Sequence, residues 1–162
     1  CHRPDQPARG QPLAHERRVD AMGRFVTDAV QRGARLVCGG QRLDRVGSFF
    51  PPTVLADAPD DALIMIEEPF GPVVPISTFR TREDGVRRAN SLPFGLASYV
   101  FTESLANATF ASDRIEAGMV NVNHFGIGLP ETPFGGIKDS GLGREGVKYA
   151  MEEMSEPRLL VY

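Results

Sequence analysis

The order of elements along this chain predicts an α/β fold, a largely parallel sheet with flanking helices. Two observations carry that expectation. Between Val73 and Val122, apolar runs alternate with stretches of helical period in the order strand, helix, strand, helix, strand. Earlier, a helical stretch ends in a glycine and feeds directly into an apolar run, which is half of an αβ unit. At 162 residues the chain suits one domain with a real core.

Taken in order, residues 1–12 carry three prolines and no periodicity, so they read as a loop or a cut edge. Residues 13–32 form a helix, with Val19, Met22, Val26 and Ala29 recurring at spacings of three and four, and Gly33 stops it. Arg35, Leu36, Val37 and Cys38 make a short buried strand. Residues 48–55 are extended, and Pro51-Pro52 makes them an edge or a crossing segment. In the stretch 60–74, Pro69 and Pro72 bracket Phe70-Gly71, forbid regular helix and stiffen a turn. A strand over 73–79 precedes a short helix over 82–91, with Val86 and Ala89 inward. A strand over 97–102 follows. Thr102 or Ser104 caps a helix over 105–117 whose apolar face is Leu105, Ala108, Ala111 and Ile115, with Gly118 as its stop. Residues 119–122 are the next strand, 144–154 a helix, and 158–162 a final strand. That last strand either completes the home sheet or adds to a neighbouring subunit's edge. Arg144 and Glu156 are spaced so that the last helix could bring them together as an interface-side ion pair.

Composition narrows the function class. A net charge of −3 and a pI near 5.6 give no reason to expect nucleic acid or an anionic membrane as partner. No apolar run approaches the roughly 18 residues of a membrane span, and no signal-peptide pattern opens the chain. Two cysteines, Cys1 and Cys38, make no disulfide framework, so a reducing cytoplasm is the default compartment. His2, His15 and His124 lack metal-ligand spacing. The chain opens on Cys1 rather than methionine, which points to a removed N-terminus or a piece of something longer.

Three stretches could carry chemistry. PFGGIKDSGLGREG, residues 133–146, holds five glycines in fourteen residues, a backbone able to bend tightly and to let other groups approach. Its last six residues spell G-x-G-x-x-G. The dinucleotide fingerprint also needs a preceding strand and a βαβ unit, and here a Gly/Lys/Asp/Ser loop precedes it, so the stretch reads as a structural loop entering a helix. EEPFGPV, residues 67–73, sets two carboxylates beside a rigid aromatic. A carboxylate on such a turn can accept two hydrogen bonds from a sugar diol, and a fixed phenyl ring can pack on a flat ring. Equally, Glu67 and Glu68 can be plain solvated charges while Phe70 plugs the core. The loop 121–132 runs off a strand's C-terminal end, where α/β sheets place ligands. His124 lies in it without a nucleophile or carboxylate nearby in sequence and reads as a plain loop histidine. Cys38 reads as an inert buried thiol in its apolar strand, and nothing near Cys1 would activate it. The residues themselves thus show binding surfaces and no catalytic engine.

EEPFGPV and PFGGIKDSGLGREG stand in order about sixty residues apart, together with Gly10-Gln11-Pro12-Leu13, the LPFGL of Leu92 to Leu96 and the GMVNVN of Gly118 to Asn123. In this the chain closely resembles the C-terminal third of the aldehyde dehydrogenase superfamily, and its wording is most similar to the bacterial succinate-semialdehyde branch. The resemblance implies a partial catalytic domain over 1–157 and an oligomerisation strand over 158–162. It implies that Glu68 binds the nicotinamide-side ribose hydroxyls of NAD or NADP and that Phe70 lies next to the nicotinamide. Gly128, Leu129 and Phe134 would touch the tail of the aldehyde substrate; where the dicarboxylate branch has a serine, this chain reads Gly128-Leu129. In the family a cysteine thiolate attacks the aldehyde, and a glutamate activates the hydrolytic water. Neither cysteine here stands in the nucleophile motif, so the expected protein is a segment of a homo-oligomeric enzyme, inactive alone. A truncated, non-catalytic binding or assembly module is the rival reading.

Overall fold

The computed structural model describes residues 12–126 and 128–162. The expectations for residues 1–11, among them Cys1, His2 and Gly10, lie outside these. The chain divides into two compact units, Cys1–Thr78 and Phe79–Tyr162.

The first unit is a helix on a small sheet. Helix α1 (Glu16–Gln31) buries Val19, Met22, Phe25, Val26 and Ala29 along one stripe, as a period of 3.6 requires. Gly33, at φ 106°, lets the chain turn back, so that its N–H reaches Val30 O and the Ala34 N–H reaches Ala29 O. Strand β1 (Arg35–Cys38) pairs antiparallel with β2 (Thr53–Ala56), and β2 pairs parallel with β3 (Val73–Ile76). Between β2 and β3 lies a one-turn helix, α2 (Leu63–Ile66). The stripe of α1 packs with Ala34, Phe50, Leu55, Ala58, Ala62, Ile64 and Val73 into one core cluster. Thr53 is buried there too, and its hydroxyl is satisfied: it donates to Pro51 O and accepts from the Gly40 N–H, each at 2.9 Å.

Strand β1 departs from the expected buried strand. It lies at the edge of the order β1-β2-β3, so Leu36 and Val37 are exposed and Cys38 is only half-buried. The parallel pairing expected of the sheet is present at β2–β3, with an antiparallel edge added by β1.

The second unit contains α3 (Arg82–Ala89), β4 (Phe94–Gly95), β5 (Ala97–Val100), α4 (Leu105–Arg114), β6 (Met119–Val122), β7 (Ile137–Lys138) and α5 (Val147–Glu153). β5 and β6 pair parallel, with α4 as the crossover, and β4 pairs antiparallel with β7. The resulting architecture is an α/β fold with mixed sheets. Thr81 and Ser104 cap α3 and α4, their hydroxyls accepting the Asp84 and Asn107 N–H groups.

Several expectations for this unit need correcting. Helix α4 stops before Ile115 rather than at Gly118, because Asn90 draws the chain out: its amide donates to Arg114 O and accepts from the Glu116 N–H. Of the apolar face expected on α4, only Ala111 is buried, and Leu105 is exposed. Ala89 is exposed as well. Helix α5 begins three residues late, since Gly146 at φ 110° is its N-cap. Arg144 does not pair with Glu156: its guanidinium donates to the carbonyls of Gly136 and Gly143, each at 2.7 Å, while its backbone N–H donates to Glu153. Residues 158–162 join no sheet among the described residues and stand exposed. A strand needs a partner strand, and among the described residues these five pair with none.

Candidate functional site

The Glu67–Val73 turn is held from beneath by the first unit. Helix α2 begins at Leu63 with no side-chain cap of its own. The missing cap comes from α1, where the Asp28 carboxylate accepts the Leu63 N–H at 2.7 Å. The same carboxylate accepts from Arg32 at 2.8 Å. That Arg32 hydrogen bond, followed by the one from Leu63, holds the Asp28 carboxyl below its ordinary 3.8. Past α2, Pro69 and Pro72 fix the chain, and Phe70 adopts the left-handed φ of 41°. A non-glycine residue there costs about 1–2 kcal/mol, so its surroundings must hold it in place. Gly71 lies against the fully buried Met22, and a Cβ at this position would collide with the Met22 sulfur.

The two glutamates have different fates. Glu67 pairs with Arg24 at 2.6 Å. Glu68 is exposed and has no hydrogen-bond or ion-pair partner among the described residues. Its neighbour Phe70 is 71% exposed. The alternative in which Phe70 plugs the core is therefore excluded: the ring is presented outward beside a carboxylate with all its acceptor capacity unused.

In the second unit, the loop after β6 starts at Asn123, φ 54°. Its side-chain amide grips the backbone of Thr102 twice, donating to the carbonyl and accepting from the N–H, each at 2.9 Å. His124 Nδ1 is occupied locally by the Gly126 N–H at 3.0 Å, which suits a loop histidine more than a base. Gly128 and Leu129 stand exposed on the loop. Phe134 is half-buried, anchored by backbone hydrogen bonds in both directions to Glu145, and lines a cavity of about 390 Å³ with Leu96, Arg144 and Glu153. Sequence reasoning missed an aromatic cluster here: Phe125 meets Phe101 at 4.8 Å and Tyr99 at 5.8 Å between ring centroids. The signal was available, because residues 99 and 101 are two apart in the strand expected over 97–102 and so share a face. It also missed Arg18 and Arg24, whose partners in the turn lie 51 and 43 residues away. Among the described residues no group of His, Cys, Asp or Glu could hold a metal ion, and no helix is long and apolar enough to cross a membrane.

Comparison with known proteins gives this geometry its context. The model of the aldehyde dehydrogenase family matches residues 3–160. The chain is 44% identical over 145 residues to the mitochondrial succinate-semialdehyde dehydrogenase of Oryza sativa, covering 90% of this chain and 28% of that protein. It is 42% identical over 145 residues to the NADP(+) succinate-semialdehyde dehydrogenase of Escherichia coli, covering 90% and 30%. Among solved structures, the Mycobacterium tuberculosis aldehyde dehydrogenase complexed with NAD+ superposes with a TM-score of 0.83 at 36% identity, covering 90% of this chain and 30% of that one. The chain thus spans less than a third of the length of these relatives. With its EEPFGPV turn and its PFGG loop folded as described, the chain belongs to the aldehyde dehydrogenase family.

Proposed function

We propose that this chain is the C-terminal portion of an NAD(P)+-dependent aldehyde dehydrogenase that oxidises an aldehyde, a semialdehyde by its similarity to the relatives above, to a carboxylate. The observation that carries the reading is the unpartnered Glu68 carboxylate beside the outward Phe70 ring. These residues fit a nicotinamide cofactor. An exposed carboxylate with free lone pairs suits a ribose diol, and an apolar ring on a stiff turn suits a flat heterocycle. When bound, the cofactor would accept the hydride. Glu68 would fix the nicotinamide-side ribose by accepting two hydrogen bonds, and Phe70 would limit the tilt of the nicotinamide. Gly128, Leu129 and Phe134 would shape the passage for the aldehyde's tail. By the family resemblance, the nucleophilic cysteine and the general-base glutamate would belong to sequence outside these 162 residues, and the chain alone is expected to be inactive. Residues 158–162 pair with a second copy in the homo-oligomer, and the free Cys38 thiol suits a reducing cytoplasm.

The test is aldehyde-dependent formation of NADH or NADPH, followed at 340 nm. The chain by itself is expected to give none. A hybrid in which it replaces the matching portion of the E. coli enzyme is expected to turn over. In that hybrid Glu68→Gln should raise the cofactor KM about tenfold and leave the aldehyde KM nearly unchanged, since a hydrogen bond to a charged group contributes about 1.5–3 kcal/mol. Turnover by the isolated chain, or an unchanged cofactor KM in Glu68→Gln, would overturn the reading.

A further inference from the structure

The peptide that joins Pro69 to Phe70 lies between the two residues that face the cofactor in the reading above. Its carbonyl is not left to solvent. Arg18, near the start of α1, donates from Nη2 to Pro69 O across 51 residues of sequence. Two further contacts from the same helix reach the same turn: Arg24 pairs with Glu67, and the Met22 sulfur fills the space above Gly71. Arg18 and Met22 are four apart and so share a helix face. The turn is therefore gripped on both sides of Glu68 and again just past Phe70.

The environment of Arg18 offsets much of what this contact could contribute to stability. Its side chain is partly buried, and its Nε is buried with no hydrogen-bond partner among the described residues. Withdrawing part of a guanidinium from water without a partner is costly, and an apolar side chain of similar length often serves the folded state as well or better. What the contact does accomplish is local. It holds the carbonyl of the peptide that leads into Phe70, a residue whose left-handed φ must be held by its surroundings.

We propose that Arg18 is a positioning residue for cofactor binding, its guanidinium holding the Pro69–Phe70 peptide so that the Glu68 carboxylate and the Phe70 ring present together. The inference rests on the cofactor reading of Glu68. It goes beyond that reading in assigning a role to a side chain that itself touches no cofactor.

Arg18→Met removes the donor and keeps the length of the side chain. In the 162-residue chain, hydrogen exchange read by mass spectrometry should quicken about tenfold in the peptide holding the Glu67 and Val73 amides, which bond to Leu63 O and Gly71 O. Amides of α1 around Ala29 and of β2 around Leu55 should not change, and the melting temperature should stay the same or rise. In the hybrid enzyme, Arg18→Met should raise the cofactor KM about tenfold with the aldehyde KM unmoved, and Arg18→Lys should recover part of the loss. Combined with Glu68→Gln, Arg18→Met should add little, because one acts through the other. A Glu68→Gln effect without an Arg18→Met effect sinks this inference and spares the cofactor reading. No effect of Glu68→Gln sinks the cofactor reading itself. Exchange that quickens equally across α1 and β2, or a melting temperature that falls with it, makes Arg18 an ordinary structural residue and overturns the proposal whether or not the hybrid folds.

Discussion

Phe25 and Phe70 make a matched pair for testing where the aromatic residues of the first unit belong. Phe25 is 2% exposed inside the core cluster, and Phe70 is 71% exposed on the turn. Truncating a buried phenylalanine to alanine costs about 3–5 kcal/mol, because the lost transfer energy is joined by a cavity. Full burial of such a side chain is itself worth about 1.5–3 kcal/mol. With less than a third of its surface covered, Phe70 should lose less than about 1 kcal/mol on going to alanine. Phe70→Gly adds an opposing effect. The left-handed φ that costs a side chain about 1–2 kcal/mol costs glycine nothing, while glycine's extra freedom in the unfolded chain takes back about 0.5–1 kcal/mol. Phe70→Gly should therefore be as stable as Phe70→Ala or more stable, by up to about 1.5 kcal/mol. The assay is urea unfolding followed by far-ultraviolet circular dichroism, since the chain has no tryptophan. If Phe70→Ala costs 3 kcal/mol or more, matching Phe25→Ala, the ring is a core plug and the outward turn is wrong.

Acid should release one clamp in particular. The Asp28 carboxyl is held below its ordinary 3.8 by hydrogen bonds from Arg32 and from the Leu63 N–H. A carboxylate with a lowered folded pKa contributes stability that is fully present above its unfolded value and is lost as pH falls through the folded one. Asp28→Asn should thus lower the melting temperature at pH 7, and the gap to the parent should narrow as pH falls below about 3.8; a gap that does not depend on pH in the acid range would contradict the linkage. Removing residues 158–162 should leave the melting of the 162-residue chain unchanged, because these residues pair with nothing among the described residues. In the hybrid enzyme the same deletion should shift the oligomer to smaller species on gel filtration, and an unchanged elution would remove the strand from the interface.

What could be read from the sequence followed local chemistry. The stripe of α1, its glycine stop, the strand at 119–122 and the proline-stiffened turn at 67–73 all depend on near neighbours, and all are present. The reading failed where distant contacts decide. β1 looked buried because RLVC is apolar, yet burial depends on strand order, and this strand is at an edge. Helix α4 looked longer because nothing between 115 and 117 forbids helix; Asn90, 24 residues earlier, ends it. The two-residue strands β4 and β7 are too short for any period to show. At the candidate site, the residue types on the turn could be read directly. The arginines that hold it could not, since charged side chains on a helix ordinarily read as a solvated face.

The short β4–β7 pairing has a practical consequence. Gly95 N–H donates to the Ser140 hydroxyl, Asp139 N–H to Pro93 O, and the Lys138 ammonium reaches the carbonyls of Asn90 and Leu92 as well as Glu116. Gly118 lies so close to Gly135 that no side chain fits between them. Stretches that look like independent family signatures, LPFGL, GMVNVN and PFGGIKDSG, are therefore parts of a single fastening. Anyone exchanging loops among members of this family to alter which aldehyde they accept should transplant the three as a set, because a donor segment moved alone would arrive without the surfaces it was cut to meet.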